Sequence, residues 1–460
     1  MNKTEFNNYL KTEVYKFVPQ NYIINVYRRW RQIHLVPSAR ACYFIRKMQY
    51  HASQNGKINQ YLSQIYHIRL VKDFGCGLCS IVCPQNCIQM EYDDKGFLVP
   101  SINTELCINC NLCIKSCIVN SSHSKNNYIT KYYLAWHKSR RVRFESSSGG
   151  VFTALAECVL KKGGTVIGAA YNKDFTVRHI AITSIEQLGL LRKSKYLQSN
   201  TNVILNDLDE ILSSYNTVLF CGTPCQCDAV KRLSHNNHKL IVCDLICHGV
   251  QSPGFFLKAL NYMENIQKSK CVSIDFRSKI NGWANACTTV VRFENGKVIN
   301  RRLNDIPIGS AFLHNLSIRE CCNECRYRGF ERVSDITIGD FWAVRDKWNF
   351  IRKNGDLGYS SIIVNSEIGE KLLRESSREL NMEESTIDDM KVANGPLWKP
   401  IESNPNRHQF WKDYCSQPFE YIVERYLKVD YKALFRWHIR KLGRKTGLRN
   451  VYYWTRGMLK

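Results

Sequence analysis

No stretch of this sequence approaches the ~18 consecutive apolar residues that a membrane-spanning helix requires. The first residues also lack the apolar core and small-residue cleavage site of a secretory signal. Acidic residues are few beside basic ones, 40 against 65, for a net charge of +25. There is no GxGxxG turn, which removes support for a standard Rossmann nicotinamide site. Helix-turn-helix, RNA-binding and zinc-finger patterns are missing too, so the basic balance does not point to nucleic acid. Repeats are confined to two short cysteine runs, and no long low-complexity tract occurs. What these absences leave is a globular chain long enough for two or three domains, expected in the cytoplasm.

Cysteine is what the sequence has in excess, at 21 of 460 residues. In a reducing compartment cysteine seldom serves disulfides, so metal ligation or catalysis is the favoured use. One run is complete: Cys107-x2-Cys110-x2-Cys113-x3-Cys117. The other reads Asp73-x2-Cys76-x2-Cys79-x3-Cys83-Pro84, with aspartate where the first cysteine should stand. In two-cluster ferredoxins three closely spaced thiolates wrap one cluster and the fourth comes from the other run. On that scheme Cys83, Cys107, Cys110 and Cys113 complete one 4Fe–4S cluster. Cys76, Cys79 and Cys117 offer three ligands to a second, atypical one. Asp73 could ligate iron through oxygen, or Cys87 could supply a thiolate. A 3Fe–4S centre, or loss of the site, is equally compatible with the spacing. Structural zinc uses separated cysteine pairs, which this array is not.

Around the array the chain divides by pattern. Residues 1–70 read as a basic helical extension, with 11 Lys/Arg against 2 acids. Residues 71–120 form the cysteine-dense domain, with a hairpin expected from 88–92 into 97–99, and 120–127 read as a linker. From 130 to 375, strand-length apolar runs at 165–171, 217–221, 240–246, 272–276 and 335–338 alternate with amphipathic helices. The helices are expected at 151–161, 185–192, 224–233 and 253–265. Alternation of this kind indicates an α/β domain with a mixed sheet. Asn295-Gly296 marks a hairpin. Residues 376–460 read as a second basic extension, and 430–460 hold 9 Lys/Arg against 1 acid. Both ends interleave charge with aromatics, as expected for docking to an anionic membrane surface or an acidic redox partner, or for plain solvated appendages.

The α/β part carries cysteines of its own at predicted strand ends: Cys225 after 217–221, Cys247 after 240–246, and the Cys322-x2-Cys325 pair. Strand ends at the carboxyl edge of a sheet are where α/β folds bind ligands. This set would suit another 4Fe–4S cluster or a zinc ion, and packing as small core hydrophobes is the plain alternative. Cys158, Cys221, Cys227, Cys243, Cys271 and Cys287 are read as core. Ser146 to Gly150 opens a helix, where backbone N–H groups and the helix dipole can cradle phosphate or simply form a cap. Residues 192–196, with Lys195, and the Gly222-Thr223-Pro224 turn could add contacts to a dinucleotide. His248, next to Cys247, could donate a proton near such a ligand, and a satisfied structural histidine is the favoured reading.

Several segments together resemble the beta-subunit family of coenzyme F-420 hydrogenase/dehydrogenase. They are SSSGGVFTALAE (146–157), RKSKYLQS (192–199), FCGTPCQCDAV (220–230), CDLICHGVQSP (243–253), FRSKINGW (276–283) and CRYRGFERVSDITIGDFWAV (325–344). The resemblance implies an FAD-binding α/β domain exchanging electrons with iron–sulfur centres. It implies that Cys225, Cys247, Cys322 and Cys325 ligate a 4Fe–4S cluster beside the flavin. By the same route Ser148, Gly149, Gly150, Lys195, Gly222, Thr223 and Pro224 become flavin-site candidates. The expected function is electron passage between the clusters, with a ferredoxin or oxidoreductase subunit as partner, and a two-electron substrate or deazaflavin-type coenzyme. A non-catalytic subunit that docks a partner oxidoreductase is the rival reading; some relatives of this kind occur in settings of surface-polysaccharide synthesis. The resemblance does not bring a hydrogen-activating site, which in the family belongs to a separate subunit.

Overall fold

The computed structural model describes residues 73–119, 128–284, 288–345, 347–399, 401–435 and 437–438. The expected N-terminal helical extension, the linker at 120–127, Cys287 and most of the basic run beyond 430 lie outside the described residues. Among the described residues no helix is long and apolar enough to cross a membrane.

The first ordered segment is the cysteine-dense one. Each cysteine run ends in a short helix, Leu78–Ile81 or Leu112–Ser116. Between them β1 (Ile88–Tyr92) and β2 (Leu98–Ile102) pair antiparallel, closed by a turn in which Asp93 Oδ1 accepts the Phe97 amide at 2.7 Å. The hairpin expected there is present.

The remainder is built on one nine-stranded mixed sheet ordered β14-β3-β13-β12-β8-β7-β4-β5-β6. Its strands are β3 (Lys131–His137), β4 (Thr165–Tyr171), β5 (Val177–Ile182), β6 (Ser199–Asn200), β7 (Val218–Gly222), β8 (Leu240–Leu245), β12 (Ile336–Asp340), β13 (Ser360–Val364) and β14 (Leu380–Glu384). β12, β8, β7 and β4 are neighbours and parallel, and four of the five apolar runs read as strands supply them. Buried on both faces, they read as near-continuous apolar sequence. The fifth run departs from that expectation. It forms β9 (Cys271–Ser278), in a separate three-stranded antiparallel sheet with β10 (Thr288–Phe293) and β11 (Val298–Arg302). Exposed and buried positions mix along β9, which suits a sheet with one open face. The Asn295-Gly296 turn joins β10 to β11, with Gly296 at φ 79.

Helices Val151–Lys161, Pro224–Leu233 and Pro253–Gln267 occupy the expected positions. The helix expected at 185–192 shortens to a 3-10 turn, Ile185–Gln187, and one turn of α-helix, Leu188–Leu191. Arg192 turns extended there, and its guanidinium reaches Glu145 (2.6 Å) and Thr153 (3.2 Å). Helices Arg407–Ser416 and Phe419–Tyr426 bury Phe410, Trp411, Tyr414 and Ile422 in one core with Phe255, Phe276 and Phe97. β14 pairs with β3 at one end of the sheet. Sequence beyond 376 therefore contributes to the packed body.

The cysteine-dense segment is docked on this body at close range. The backbones of Gly96 and Gly254 cross so tightly that a Cβ on Gly254 would stand 2.7 Å from the Gly96 Cα, and Gly254 N donates to Gly96 O at 3.0 Å. The buried Gln198 side-chain amide acts as a surrogate strand: its Oε1 accepts the Leu98 amide (2.9 Å), and its Nε2 donates to Leu98 O (3.1 Å). Thr201 Oγ1 donates to Cys76 O at 3.0 Å. Gly254→Val should force the two backbones apart and cost about 1–3 kcal/mol as an overpacking change. The expected outcome is a lower denaturant midpoint and faster proteolysis of residues 73–119 than in Gly254→Ala.

Candidate functional site

Strand direction gathers the site on one edge. The carboxyl ends of β4, β7, β8 and β12 lie together, and β13 begins and β3 ends beside them, with Asp340 opposite Ser360 and Ser360 opposite Ala135. The turn at 146–150, the segment 192–196, the Gly222–Pro224 turn and the loop after β8 all leave from this edge, as α/β ligand sites do.

Among the described residues, three cysteine groups form. In the first, Cys113 feels the charges of Cys107, Cys110 and Cys83. Cys87 joins this group, its Sγ 3.3 Å from that of Cys83. In the second, Cys76 feels the charges of Cys79, Cys117 and Asp73, and Cys79 those of Asp73, Cys117 and Cys113 of the first group. In the third, Cys225, Cys247, Cys322 and Cys325 line one cavity together with Phe74, Thr223, Gly249 and Arg328. Pro224 at the first turn and a Thr223–Gln226 capping box start the helix that sets Cys225, a use of Pro and Thr suited to helix starts. The Thr223 hydroxyl lies 3.2 Å from the Cys225 sulfur. The second and third groups abut: Cys76 interacts with Cys225, and Phe74, Tyr327 and Cys325 pack in the same small core.

Electrostatics makes these groups costly without metal. Burial raises the thiol pKa of Cys76, Cys225 and Cys247 and pushes Cys79 up to about 12. Cys322 is drawn down to about 7, chiefly by a hydrogen bond from its neighbour Cys321. A bound cation that displaces these protons stabilises the thiolates burial opposes. Spacing bears on which cation. A single tetrahedral zinc with ~2.3 Å Zn–S bonds needs its sulfurs nearly in contact. Among the described residues, the group whose ligand atoms lie within 4.8 Å of one another is His137, Glu157 and Glu379, and no cysteine belongs to it. The wider cysteine groups suit a cuboidal cluster, which interposes its own iron and sulfide. Arg328, which donates to Cys322 O at 3.1 Å and His248 O at 3.4 Å, places positive charge at the third group.

The remaining candidates sort differently. Ser148 Oγ donates to Tyr359 O (2.6 Å), the Gly149 amide donates to Ser360 Oγ (2.8 Å), and Gly149 O accepts from His137 N (2.8 Å). Their polar groups are thus engaged within the protein. Gly150, at φ 90, makes the left-handed start of helix Val151–Lys161. Ser194 N donates to Ser147 Oγ at 2.9 Å, which brings 192–196 onto the same turn. Lys195 donates to Leu190 O (3.1 Å) and Arg192 O (2.8 Å), and burial lowers its pKa to about 7. Below it the buried Tyr171 hydroxyl has no hydrogen-bond partner among the described residues. His248 donates to or accepts from Asn315 Oδ1 at 2.8 Å, a positioned structural histidine. Of the cysteines read as core, Cys227, Cys243 and Cys271 are buried in apolar clusters.

Sequence reasoning missed four residues. Lys279 buries its ammonium on the carbonyls of Arg143, Ser148 and Leu357, drawing the 146–150 turn to the loop before β13. Arg319 and Gln198 anchor the cysteine-dense segment, and Cys321 backs the third group. A lysine within FRSKINGW and an arginine just before Cys322 were the available signals.

Three family models match the chain. A 4Fe-4S dicluster domain covers residues 74–121. The N-terminal part of the coenzyme F-420 hydrogenase/dehydrogenase beta subunit covers 132–206, and its C-terminal part covers 215–390. The two beta-subunit models together span more than half of the chain. Among solved structures, a chain of a xenon-derivatised F-420-reducing NiFe hydrogenase complex from Methanosarcina barkeri is similar at 15% identity and a TM-score of 0.41, covering 66% of this chain and 95% of that one. No curated protein matches.

In protein stripped of metal, alkylation should follow burial. Reagent reaches the exposed Cys110 and Cys415 directly, whereas burial opposes the thiolate at Cys79, Cys225 and Cys247. The exposed pair should react with iodoacetamide well before the buried three, as read by peptide mass spectrometry.

Proposed function

The chain belongs to the coenzyme F-420 hydrogenase/dehydrogenase beta-subunit family and is an iron–sulfur electron-transfer oxidoreductase, and from that premise we propose that it links a redox partner protein to a flavin through a line of three clusters. When bound, 4Fe–4S clusters supply one-electron steps and a flavin supplies two-electron hydride chemistry. Cys83, Cys107, Cys110 and Cys113 would hold the outer cluster, and Cys76, Cys79 and Cys117 the middle one. Cys225, Cys247, Cys322 and Cys325 would hold the inner one.

The observation that carries this reading is the abutment of the second and third cysteine groups, Cys76 beside Cys225 in one buried core. Each group by itself is a metal site; placed wall to wall they make a path. The residues' own contribution is positioning and shielding. Phe74 and Tyr327, with ring centroids 5.4 Å apart, pack edge to face between the groups. The Tyr327 hydroxyl is held by Asp228 at 2.7 Å.

A flavin would lie along the same edge, its phosphates at the start of helix Val151–Lys161, where backbone N–H groups and the positive dipole end face the ligand, with Lys195 alongside. The Tyr171 hydroxyl beneath Lys195, unpartnered among the described residues, is a further polar group such a ligand would satisfy. The second reading, single-electron transfer without flavin, is favoured by one observation: Ser148, Gly149 and Thr223 already spend their polar groups within the protein. On either reading the partner presents an acidic face, complementary to the net charge of +25.

Anaerobic purification with iron, sulfide and flavin analysis tests the proposal. The expected result is extractable flavin together with iron for three clusters. Cys225→Ser should lose roughly a third of the iron, as one site of three, and keep the rest. Unchanged iron in that variant would remove the inner site. Flavin affinity should carry the Lys195 titration. Its ammonium is protonated below about 7, so an anionic dinucleotide binds more tightly as pH falls through that value. Lys195→Arg should flatten the dependence when affinity is titrated between about pH 6 and 8, since Arg stays charged.

A further inference from the structure

We infer that Cys221 and Cys243 form a thiol–disulfide site at the ligand edge of the large sheet, closed by a low-molecular-weight disulfide and reopened by thiols. The inference goes beyond the flavin and iron–sulfur readings and rests on neither. None of the cysteines assigned above to a cluster takes part in it.

Cys221 and Cys243 are Cα partners in the parallel pair of β7 and β8. Neighbouring strands lie about 4.7–4.9 Å apart, and partnered residues project from the same face. That spacing falls inside the roughly 4.4–6.8 Å Cα separation of disulfides. Both side chains enter one core, with Leu219, Ile241 and helix Val151–Lys161. A hydrogen bond with Cys221 is the first cause that raises the Cys243 thiol, ahead of burial. Cys227 does not compete: it packs with Phe220 and Val242 in a different core, and its thiol is turned to the Cys243 carbonyl at 3.6 Å. The two partners differ in access. Cys243 is fully buried, whereas Cys221 is half-buried and stands just before the end of β7. The charge of Cys221 reaches Lys195, and His179 Nε2 donates to Cys221 O at 3.2 Å, which fixes the backbone there. Cys221 is therefore the attacking thiol and Cys243 the resolving one.

The exchange balances in two displacements. The Cys221 thiolate attacks one sulfur of the small disulfide, whose S–S bond breaks, and one small thiolate leaves with the Cys221 proton. Cys243 then attacks the Cys221 sulfur of the mixed disulfide, and the second small thiolate leaves with the Cys243 proton. Two protein thiols are oxidised to one bridge, and one small disulfide is reduced to two thiols. β7 and β8 are paired on both sides, to β4 and β12 as well as to each other, which holds their spacing against adjustment. Bridges closed under such constraint are the readily reduced ones.

Peptide mapping of the full chain, purified without air and treated with glutathione disulfide, tests this. After free thiols are blocked, fragmentation spectra of the unreduced digest should assign a bridge from Cys221 to Cys243, lighter by two hydrogens and lost on adding dithiothreitol. Cys243→Ser removes the resolving thiol and should leave a glutathionyl group on Cys221, where the wild type retains none. Cys221→Ser should show no adduct at the buried Cys243. Iron and sulfide content should match the wild type in both variants, and its loss in either would make the pair cluster ligands and overturn the inference. It is also overturned if the wild type forms no Cys221–Cys243 bridge, the result for cysteines that serve only as core hydrophobes, or if Cys243→Ser carries no adduct on Cys221. Should neither variant accumulate, the wild-type map decides. A bridge in protein that binds no iron supports this inference and overturns the iron–sulfur reading; full iron without a bridge does the reverse.

Discussion

One guanidinium holds the two halves of the site in register. Arg319 spans from the loop that carries Cys322 to the backbone and carboxylate of Asp73 and the carbonyl of Leu98. Its own carbonyl accepts the Cys322 amide at 3.1 Å, so the same residue touches both cysteine sets. Burial works against its charge, and Asp73 with the nearby cysteines Cys321 and Cys322 outweighs that burial. A flat fork of five donors suits the task where a lysine would not. Removing one member of such a buried pair typically costs about 3–5 kcal/mol. The geometry from Cys76 to Cys225 depends on it.

The rest of the dock pairs backbone groups of the loop-rich segment with side chains of the body. Gln198 supplies from a side chain what a strand would supply from its backbone, pairing with Leu98 and also with Gly75 O at 3.4 Å. A Cβ at Gly75 would fall 2.1 Å from the Gln198 Nε2 and 2.8 Å from the Arg319 Nη1. Gly75 also sits at φ 65, in the left-handed region glycine adopts without cost. Position 75 therefore favours glycine, and the approach of the loop to the body is set by that closeness. Positive charge continues inward: Arg332 pairs with Asp244 at 2.9 Å, both nearly inaccessible.

Much of this was legible in the sequence where the signal is local. The x2/x2/x3 cysteine spacing identified the dicluster segment, and strand-length apolar runs located the four parallel strands. Cys225 and Cys247 could be placed at strand ends because each follows such a run directly. β9 was misplaced because a short apolar run does not reveal which sheet will receive it. β3 and β13 went unread: Lys131-Tyr132-Tyr133 begins polar and aromatic, and Ser360-Ser361 hides the start of a fully buried strand. The anchors were illegible for a different reason. Gln198 meets Leu98 across 100 residues and Arg319 meets Asp73 across 246, and no local pattern encodes such a pairing. The same separation explains position 73. Spacing announced a missing cysteine, while its replacement's partner lay far downstream.

That separation also bears on how the molecule assembles. The dicluster segment leaves the ribosome well before Gln198, Gly254 and Arg319, the residues that fix it, and non-local closures of this kind are paid for late in folding. During synthesis, at ~5–20 residues per second, the loop around Cys76 waits for tens of seconds without its anchor. Its apolar residues Phe74, Leu78 and Phe97, all later packed against the body, are exposed for that time. A metal centre that forms within residues 76–117 alone can order the segment in the interval, whereas the group containing Cys322 and Cys325 cannot close until the sheet is nearly complete. The order in which the chain is made thus becomes the order in which its cysteine groups can close.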